Sequence, residues 1–131
     1  MPDQLDDLLE RARAASRLAY CPYSRFHVGA AILAGGRVFS GANIENASYG
    51  LTVCAERTAA FAAVLAGAGR FEAIAVACVD APEGSGAESL MPCGACRQVL
   101  VEFADPSTPV IVDRVGRMTL ADLLPLAFRL L

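Results

Sequence analysis

Hydrophobic positions recur with a helical period at the start of the chain and then change to the pattern of strands. After Asp3, leucine and alanine side chains recur every three or four residues, which predicts a helix capped by Asp3 and ended before Pro22. An apolar run over 26–33 predicts a strand, and the glycine pair at 35–36 predicts a turn. Residues 37–40 then return as the second strand of a hairpin.

The rest of the chain alternates between loops, helices and strand-like segments. The predicted elements are, in order, a loop over 41–53, a helix over 54–66, a buried strand over 73–79, a surface loop over 81–89, a helix over 93–103 and a strand over 109–113. Gly67 and Gly69 fit the end of the first of these helices. Thr119 and Asp122 fit a capping box, which predicts a last short helix.

This order of elements, α-β-β-α-β-α-β-(β)-α, predicts an α/β fold, a three-layer α-β-α sandwich around a central mixed five-stranded sheet. The first two strands should form an antiparallel hairpin. Each β-α-β connection should be a right-handed crossover that makes its two strands parallel neighbours. The length of 131 residues fits a single domain over 1–131.

Composition and charge exclude several classes of protein. Hydrophobic residues make up 55% of the chain, enough for a sizeable core, yet no uninterrupted apolar run is long enough for a membrane helix. The acidic N-terminus lacks the order of a signal peptide, so we expect a soluble cytoplasmic protein that contacts no membrane. The net charge is −3 and every basic residue is a scattered arginine, which favours a small substrate over a nucleic acid.

Three cysteines and one glutamate form the clearest chemical pattern. Cys54 is followed by Glu56, and the later segment Pro-Cys-Gly-Ala-Cys holds Cys93 and Cys96. Structural zinc normally has four protein ligands, whereas catalytic zinc has three and leaves one position to water. A carboxylate beside a three-thiolate site is the expected acid/base group. The pattern therefore predicts one catalytic Zn²⁺ per chain.

A structural zinc site or a set of core thiols is the alternative for the same cysteines. A structural site would need a fourth ligand, but His27 lies in a predicted strand and the two other cysteines, Cys21 and Cys78, lack paired spacing. Cys78 falls within an apolar run, so we predict an inert core thiol there. His27 is expected to be a solvated or hydrogen-bonded side chain, and Cys21 receives no role.

Charge balance gives the neighbouring arginines a possible role. Cys54 and Cys93 stand at predicted helix starts, where the helix dipole favours thiolates. Three thiolates and one Zn²⁺ sum to −1, so the site needs nearby positive charge to keep bound water acidic. Arg57 and Arg97 follow the ligand segments. For Arg97 a surface or interface ion pair is an equal alternative.

The cysteine pattern matches the zinc deaminase signature in its three-cysteine form. Further matching segments are Ala-Tyr-Cys-Pro-Tyr-Ser-Arg-Phe, Gly-Ala-Asn-Ile-Glu-Asn-Ala-Ser-Tyr and the C-terminal Leu-Leu-Pro-Leu-Ala-Phe. With them, nearly the whole chain resembles the small homotetrameric cytidine deaminases of nucleoside salvage. The resemblance implies zinc-dependent hydrolysis of cytidine and deoxycytidine to uridine and deoxyuridine, with release of ammonia.

The resemblance also implies roles for individual side chains. Asn43 and Glu45 would hold the ribose hydroxyls, for which an amide and a carboxylate are suited, although both could be simple turn residues. Glu56 would transfer the protons, and Arg57 would hydrogen-bond to the ligand cysteines. The substrate contacts implied are a pocket wall from Phe26, the backbone around Ala55 and a base stack from Phe128 of a neighbouring subunit in a homotetramer with shared active sites.

Other readings of the pattern remain open at this point. Blasticidin-S-type deaminases share the cysteine ligands and small size, and nucleic-acid deaminases share the zinc core but use a histidine in the first motif. A zinc-stabilised interaction module is the alternative that is not an enzyme. Metal removal should unfold such a module, whereas a catalytic site could lose activity and retain its fold.

Overall fold

The computed structural model describes residues 3–130, and these form a mixed sheet with helices on both faces. The helices and strands follow one another as α1 (Gln4–Ala15), β1 (Val28–Ala34), β2 (Arg37–Ala42), α2 (Ala55–Leu65), β3 (Phe71–Cys78), α3 (Gly94–Phe103), β4 (Pro109–Val112), β5 (Gly116–Thr119) and α4 (Leu120–Leu123). The five strands lie in the order β2-β1-β3-β4-β5. The predicted fold class is confirmed.

Helix α1 is capped as its sequence predicts but is shorter than expected. The Asp3 carboxylate accepts a hydrogen bond from the backbone N–H of Asp6 at 3.0 Å. After Ala15 the chain tightens into a single 3₁₀ turn over Ser16–Leu18. There the Ser16 hydroxyl donates to the carbonyl of Arg13 at 2.6 Å, a local bond of the kind that competes with continued helix.

Two of the strand pairings predicted from the sequence are confirmed, and one is wrong. The β1–β2 hairpin is antiparallel and β3–β4 is parallel, as predicted. The β2-α2-β3 connection does not make parallel neighbours, because β1 lies between the two strands and pairs antiparallel with both. Six of the seven residues of β1 are buried, so its backbone groups need a partner strand on each edge.

The sheet has an apolar core on each face. On one face α1 covers β1 and β3, where Leu8, Leu9 and Ala12 are buried. On the other face α2 lies over β2 and β1, and its alanines share one buried cluster with Leu100 of α3 and with side chains of β3 and β4. This second face holds the larger core, and the two helices on it begin side by side at one end of the sheet, where α2 and α3 are in contact.

A glycine allows α2 to lie unusually close to the sheet. A Cβ atom at Gly41 on β2 would lie only 2.4 Å from the backbone nitrogen of Ala59 and from the Thr58 hydroxyl. The Thr58 hydroxyl also donates to the carbonyl of Ala42 at 2.9 Å, which ties the first turn of α2 to the end of β2. The start of α2 is therefore placed by direct contact with backbone.

Several boundaries differ from the predicted ones by a few residues. The predicted loop over 41–53 begins with the end of β2, and its middle is held by the bridge between Ile44 and Val53. The predicted loop over 81–89 contains a 3₁₀ turn at Ala87–Ser89, and the capping box of Thr119 and Asp122 is present. Among residues 3–130, no helix has the length and apolar character that crossing a membrane requires.

Candidate active site

Three thiols meet where α2 and α3 begin. Cys54 and Cys93 are the N-cap residues of these helices, both in extended backbone conformation, and Cys96 lies in the first turn of α3. The three Sγ atoms all lie within 4.8 Å of one another. Three sulfur donors at this separation fit one Zn²⁺ and leave its fourth coordination position free of protein.

Hydrogen bonding and burial shift the pKa values of Cys54 and Cys96 in opposite directions. The pKa of Cys54 is lowered to about 5, chiefly because the Cys96 thiol donates a hydrogen bond to it and also because the Arg57 guanidinium lies beside it. The pKa of Cys96 is raised, because it is the donor in that pair and is buried. Cys93 Sγ lies 3.4 Å from Cys96 Sγ.

Glu56 lies beside the thiols at the start of α2 and is almost fully buried, with 4% of its surface exposed. Desolvation raises the pKa of its carboxyl group, and the charge at Cys54 adds to that effect. A buried carboxyl group with a raised pKa keeps its proton to a higher pH than an exposed one, which suits a group that must both take up and release a proton. This is the electrostatic environment that an acid/base group requires.

The two arginines that follow the cysteines have different surroundings. Arg57 Nη2 donates to Cys54 Sγ at 3.4 Å and approaches the carbonyl of Thr52 at 3.5 Å, which agrees with the charge-balance argument. Arg97 donates to the backbone carbonyls of Pro92 and Leu123, each at 2.7 Å. Arg97 therefore joins the end of α4 to the segment before α3, and within residues 3–130 it forms no hydrogen bond to a thiol and no ion pair with a carboxylate.

A cavity of about 240 Å³ opens over the thiols and Glu56. Its lining residues are Phe26, Val28, Asn43, Thr52, Cys54, Ala55, Glu56, Val76, Cys78, Ser89, Met91 and Cys93. Phe26, Asn43, Ala55 and Glu56 were predicted as site residues and are brought together here. The cavity lining is mostly apolar with a few polar groups, as small-molecule sites usually are.

Asn43 and Glu45, which were expected to hold the ribose, make hydrogen bonds within the chain. The Asn43 amide oxygen accepts from the backbone N–H of Val28 at 2.9 Å, and its amide nitrogen donates to the carbonyl of Phe26 at 2.8 Å. The Glu45 carboxylate accepts from the backbone N–H groups of Tyr23 and Ser24, each at 3.1 Å. Glu45 is not among the residues that line the cavity.

Phe128 also lies outside the cavity of its own chain. Its side chain is 69% exposed, and its carbonyl accepts a hydrogen bond from the Gln98 amide at 3.0 Å. His27 is likewise away from the lining, and its Nδ1 lies 2.6 Å from the Asp80 carboxylate. A hydrogen-bonded side chain was the expectation for His27.

Sequence reasoning missed the wall that Cys78, Ser89 and Met91 contribute. Cys78 was expected to be an inert core thiol, and it is buried with a pKa raised to about 11, mainly by desolvation, but it also lines the cavity. One signal was present: Cys78 ends a strand, and sites in α/β sheets form outside the carboxyl ends of strands. No such signal marks Ser89 and Met91.

Comparison with known proteins identifies this arrangement. A family model described as the cytidine and deoxycytidylate deaminase zinc-binding region matches residues 2–112. The chain belongs to this deaminase family. Its three-cysteine cluster lies within the matched segment, so the deaminase domain carries a donor set that could hold one zinc ion.

Curated relatives in the deaminase family match over nearly their full length. The cytidine deaminase of Mycobacterium tuberculosis is 49% identical over 133 aligned positions, covering 99% of this chain and 94% of the relative. That of Sporosarcina psychrophila is 46% identical over 129 positions, covering 95% and 90%. The agreement therefore extends well beyond the cysteine motifs.

Solved structures of deaminases share the fold. The cytidine deaminase of Burkholderia pseudomallei superimposes with a TM-score of 0.82 at 46% identity, covering 93% of this chain and 97% of that one. The Mycobacterium tuberculosis enzyme gives a TM-score of 0.83 at 45% identity, covering 98% and 100%. The layers and strand order of this chain are therefore those of the deaminase fold.

Proposed function

We propose that this protein hydrolyses cytidine and deoxycytidine to uridine and deoxyuridine with release of ammonia, as the names of its relatives suggest. The observation that carries the proposal is the buried carboxyl group of Glu56 beside three clustered thiols in one cavity. Cys54, Cys93 and Cys96 would hold a Zn²⁺ ion, which would supply a Lewis acid and lower the pKa of bound water.

Glu56 carries the protons in this reaction. Its carboxylate accepts a proton from water as the water oxygen bonds to C4 of the pyrimidine, and it delivers that proton to ring nitrogen N3. The remaining hydroxyl proton then passes through Glu56 to the amino group at C4, the C–N bond breaks, and ammonia leaves. Burial supports this role, because it brings the pKa of the carboxyl group upward from its usual acidic range.

The remaining lining side chains would orient the nucleoside. Phe26 offers a flat apolar surface to the base, and the backbone at Ala55 offers hydrogen-bonding groups to the pyrimidine edge. Asn43 retains a second amide hydrogen and a second lone pair after its two backbone bonds, so it can still bind a ribose hydroxyl. Glu45 would act from the rim, where its carboxylate has free lone pairs.

We also propose a homotetramer with shared active sites in the cytoplasm. Several large apolar side chains are exposed around the cavity loops and at the C-terminus, namely Tyr20, Tyr23, Ile44, Tyr49, Leu51, Leu126 and Phe128. Exposed apolar surface of this kind marks interfaces between proteins. In this proposal Phe128 stacks on the base in a neighbouring subunit, which agrees with its exposure in its own chain.

The test is ultraviolet monitoring of the purified protein with cytidine, deoxycytidine, adenosine, cytosine and blasticidin S. We expect deamination of the two pyrimidine nucleosides alone, and none with Glu56→Gln as the matched control. Turnover of blasticidin S in preference to cytidine would replace the proposed substrate. No turnover of any of the five compounds by zinc-loaded protein would favour a zinc-stabilised interaction module.

A further inference from the structure

One arginine outside the cavity holds the turn that follows β3. Arg114 Nη2 donates to the carbonyl of Cys78 at 2.7 Å, and Nη1 donates to the carbonyl of Ala81 at 3.0 Å. The backbone N–H of Ala81 donates to the same Cys78 carbonyl at 3.3 Å, which closes the turn. A single guanidinium thus joins both ends of the turn over 78–81.

Arg114 is itself fixed by the β4–β5 hairpin. Its φ of 65° lies in the left-handed region, which is uncommon for a residue with a side chain. The preceding Asp113 donates its backbone N–H to the carbonyl of Val76 at 2.9 Å. The Asp113 carboxylate accepts from the Arg13 guanidinium of α1 at 2.7 Å. The guanidinium of Arg114 is therefore presented from a well-anchored turn.

The turn that Arg114 holds begins the segment that supplies Cys78, Ser89 and Met91 to the cavity. The Cys78 side chain lines the cavity, and its Sγ approaches the carbonyl of Leu90 at 3.7 Å. Ala81 and Leu90 are both buried, so the exposed part of the loop is held at each end. Beyond it the chain places Ser89 and Met91 on the cavity.

The same turn also contacts the segment that supplies Phe26 and Val28 to the cavity. The backbone N–H of Val79 donates to the carbonyl of His27 at 3.3 Å, and the Asp80 carboxylate accepts from the backbone N–H of His27 at 2.8 Å. His27 lies between Phe26 and Val28, which both line the cavity. Movement of the turn would therefore displace lining side chains from both the 26–28 segment and the 78–91 segment.

We propose that Arg114 is a positioning residue for nucleoside binding, which it serves by fixing the turn over 78–81 and the loop that leads from it. This inference rests on the proposed deamination, since nucleoside affinity is its readout. Arg114 touches neither the thiols nor Glu56, so its loss should weaken substrate binding and leave the chemical step intact. The affected constant is KM.

The experiment compares Arg114→Gly and Arg114→Gln with the unchanged protein. Glycine adopts the left-handed conformation without strain, so Arg114→Gly removes the guanidinium without a backbone penalty. We expect KM for cytidine to rise about threefold to tenfold in both variants, as suits the loss of one or two hydrogen bonds, with kcat within about twofold. Arg114→Lys, which can reach one carbonyl, should give an intermediate KM.

Arg117→Gln is the matched control in the same hairpin. Arg117 pairs with Asp3 and Asp6, away from the cavity, so its loss should leave KM unchanged. Hydrogen exchange gives a readout that does not depend on activity. Amides over 79–92 should exchange faster in both Arg114 variants than in the unchanged protein and in the control, while α1 amides in the Arg114 variants should exchange as in the unchanged protein.

These readouts separate the two proposals. If the unchanged protein deaminates cytidine but both Arg114 variants keep KM within twofold of it, the positioning role is wrong. Unchanged exchange over 79–92 would also overturn it. If the unchanged protein deaminates none of the compounds, the proposed function fails, and the exchange measurement still decides whether Arg114 holds the loop.

Discussion

The Arg57 guanidinium donates a hydrogen bond to Cys54 Sγ, with 3.4 Å between Nη2 and the sulfur. The two residues occupy the N-cap and first turn of α2, so the helix itself brings the positive charge to the thiol. The Arg57 Nε atom is buried and has no hydrogen-bond partner within residues 3–130. A half-buried cation beside Cys54 would offset the negative charge that three thiolates and one Zn²⁺ sum to.

Arg57→Ala should slow turnover about tenfold to a hundredfold, because hydrogen bonds to charged groups contribute on the order of 1.5–3 kcal/mol. With the positive charge gone, water at the zinc should become less acidic, so the acidic limb of the pH–rate profile should move to higher pH. Steady-state kinetics from pH 5 to 9 measures both effects. An unchanged rate and profile would show that charge balance at the thiols does not depend on Arg57.

Glu56→Gln should retain zinc and fold but lose nearly all turnover. A placed acid/base group contributes typically 10²–10⁴-fold, and here one carboxyl group handles several transfers, so the loss could be larger. The amide is isosteric, so circular dichroism and zinc content should match those of the unchanged protein. Activity within tenfold of the unchanged protein would remove Glu56 from the mechanism.

One zinc should bind per chain, and Cys96→Ser should reduce that content sharply because Cys96 is one of three clustered donors. The matched control is Cys21→Ser. Cys21 is also a buried cysteine, but it lies outside the cluster, so this variant should still carry one zinc. Elemental analysis of protein purified without chelators checks both. Equal zinc in the two variants would contradict the assignment of ligands.

Gly41→Ala should destabilise the fold and lower activity together. The added methyl group would overlap the backbone of α2 at Ala59, and such overpacking costs about 1–3 kcal/mol or more. In a domain of this size that corresponds to a fall in Tm of roughly 2–12 °C. Gly50→Ala is the control, because a Cβ there meets nothing within 4 Å. Similar melting temperatures for the two variants would exclude the close contact.

Phe128→Ala should raise KM for cytidine, since the loss of one aromatic stack on a base costs about 1–3 kcal/mol. If Phe128 serves a neighbouring subunit, mixing Phe128→Ala with inactive Glu56→Gln chains should restore some tight sites, because each defect then lies in a different chain. Light scattering gives the assembly state. A fully active monomer, or no restoration despite subunit exchange, would refute the shared-site arrangement.

The thiol cluster could be predicted from sequence because local rules determine it. Cys54 and Cys93 each precede a helical pattern, and the short spacing from Cys93 to Cys96 places both on the first turn of one helix. Those residues came together as expected. For these cysteines to meet, α2 and α3 had only to lie on the same face of the sheet and begin at the same end of it.

The strand order and the far wall of the cavity depended on long-range contacts that no local pattern encodes. A β-α-β pattern is compatible with two adjacent strands and also with two strands separated by a third. Here β1 pairs along both edges and so separates β2 from β3. Ser89 and Met91 come from an irregular loop, whose path is set by Arg114 far along the chain. The hydrophobic periodicity of one sequence indicates neither the strand order nor the path of this loop.

Because β1 lies between β2 and β3, metal binding can report on the pairing of these three strands. Cys54 follows β2 and Cys93 follows β3, so the native separation of the two thiols depends on the pairing of β1 along both edges. Uptake of a coloured divalent ion such as Co²⁺ during refolding would therefore time the closure of these three strands. Docking of α1 on the opposite face would leave that signal untouched, so the two halves of the core can be timed separately.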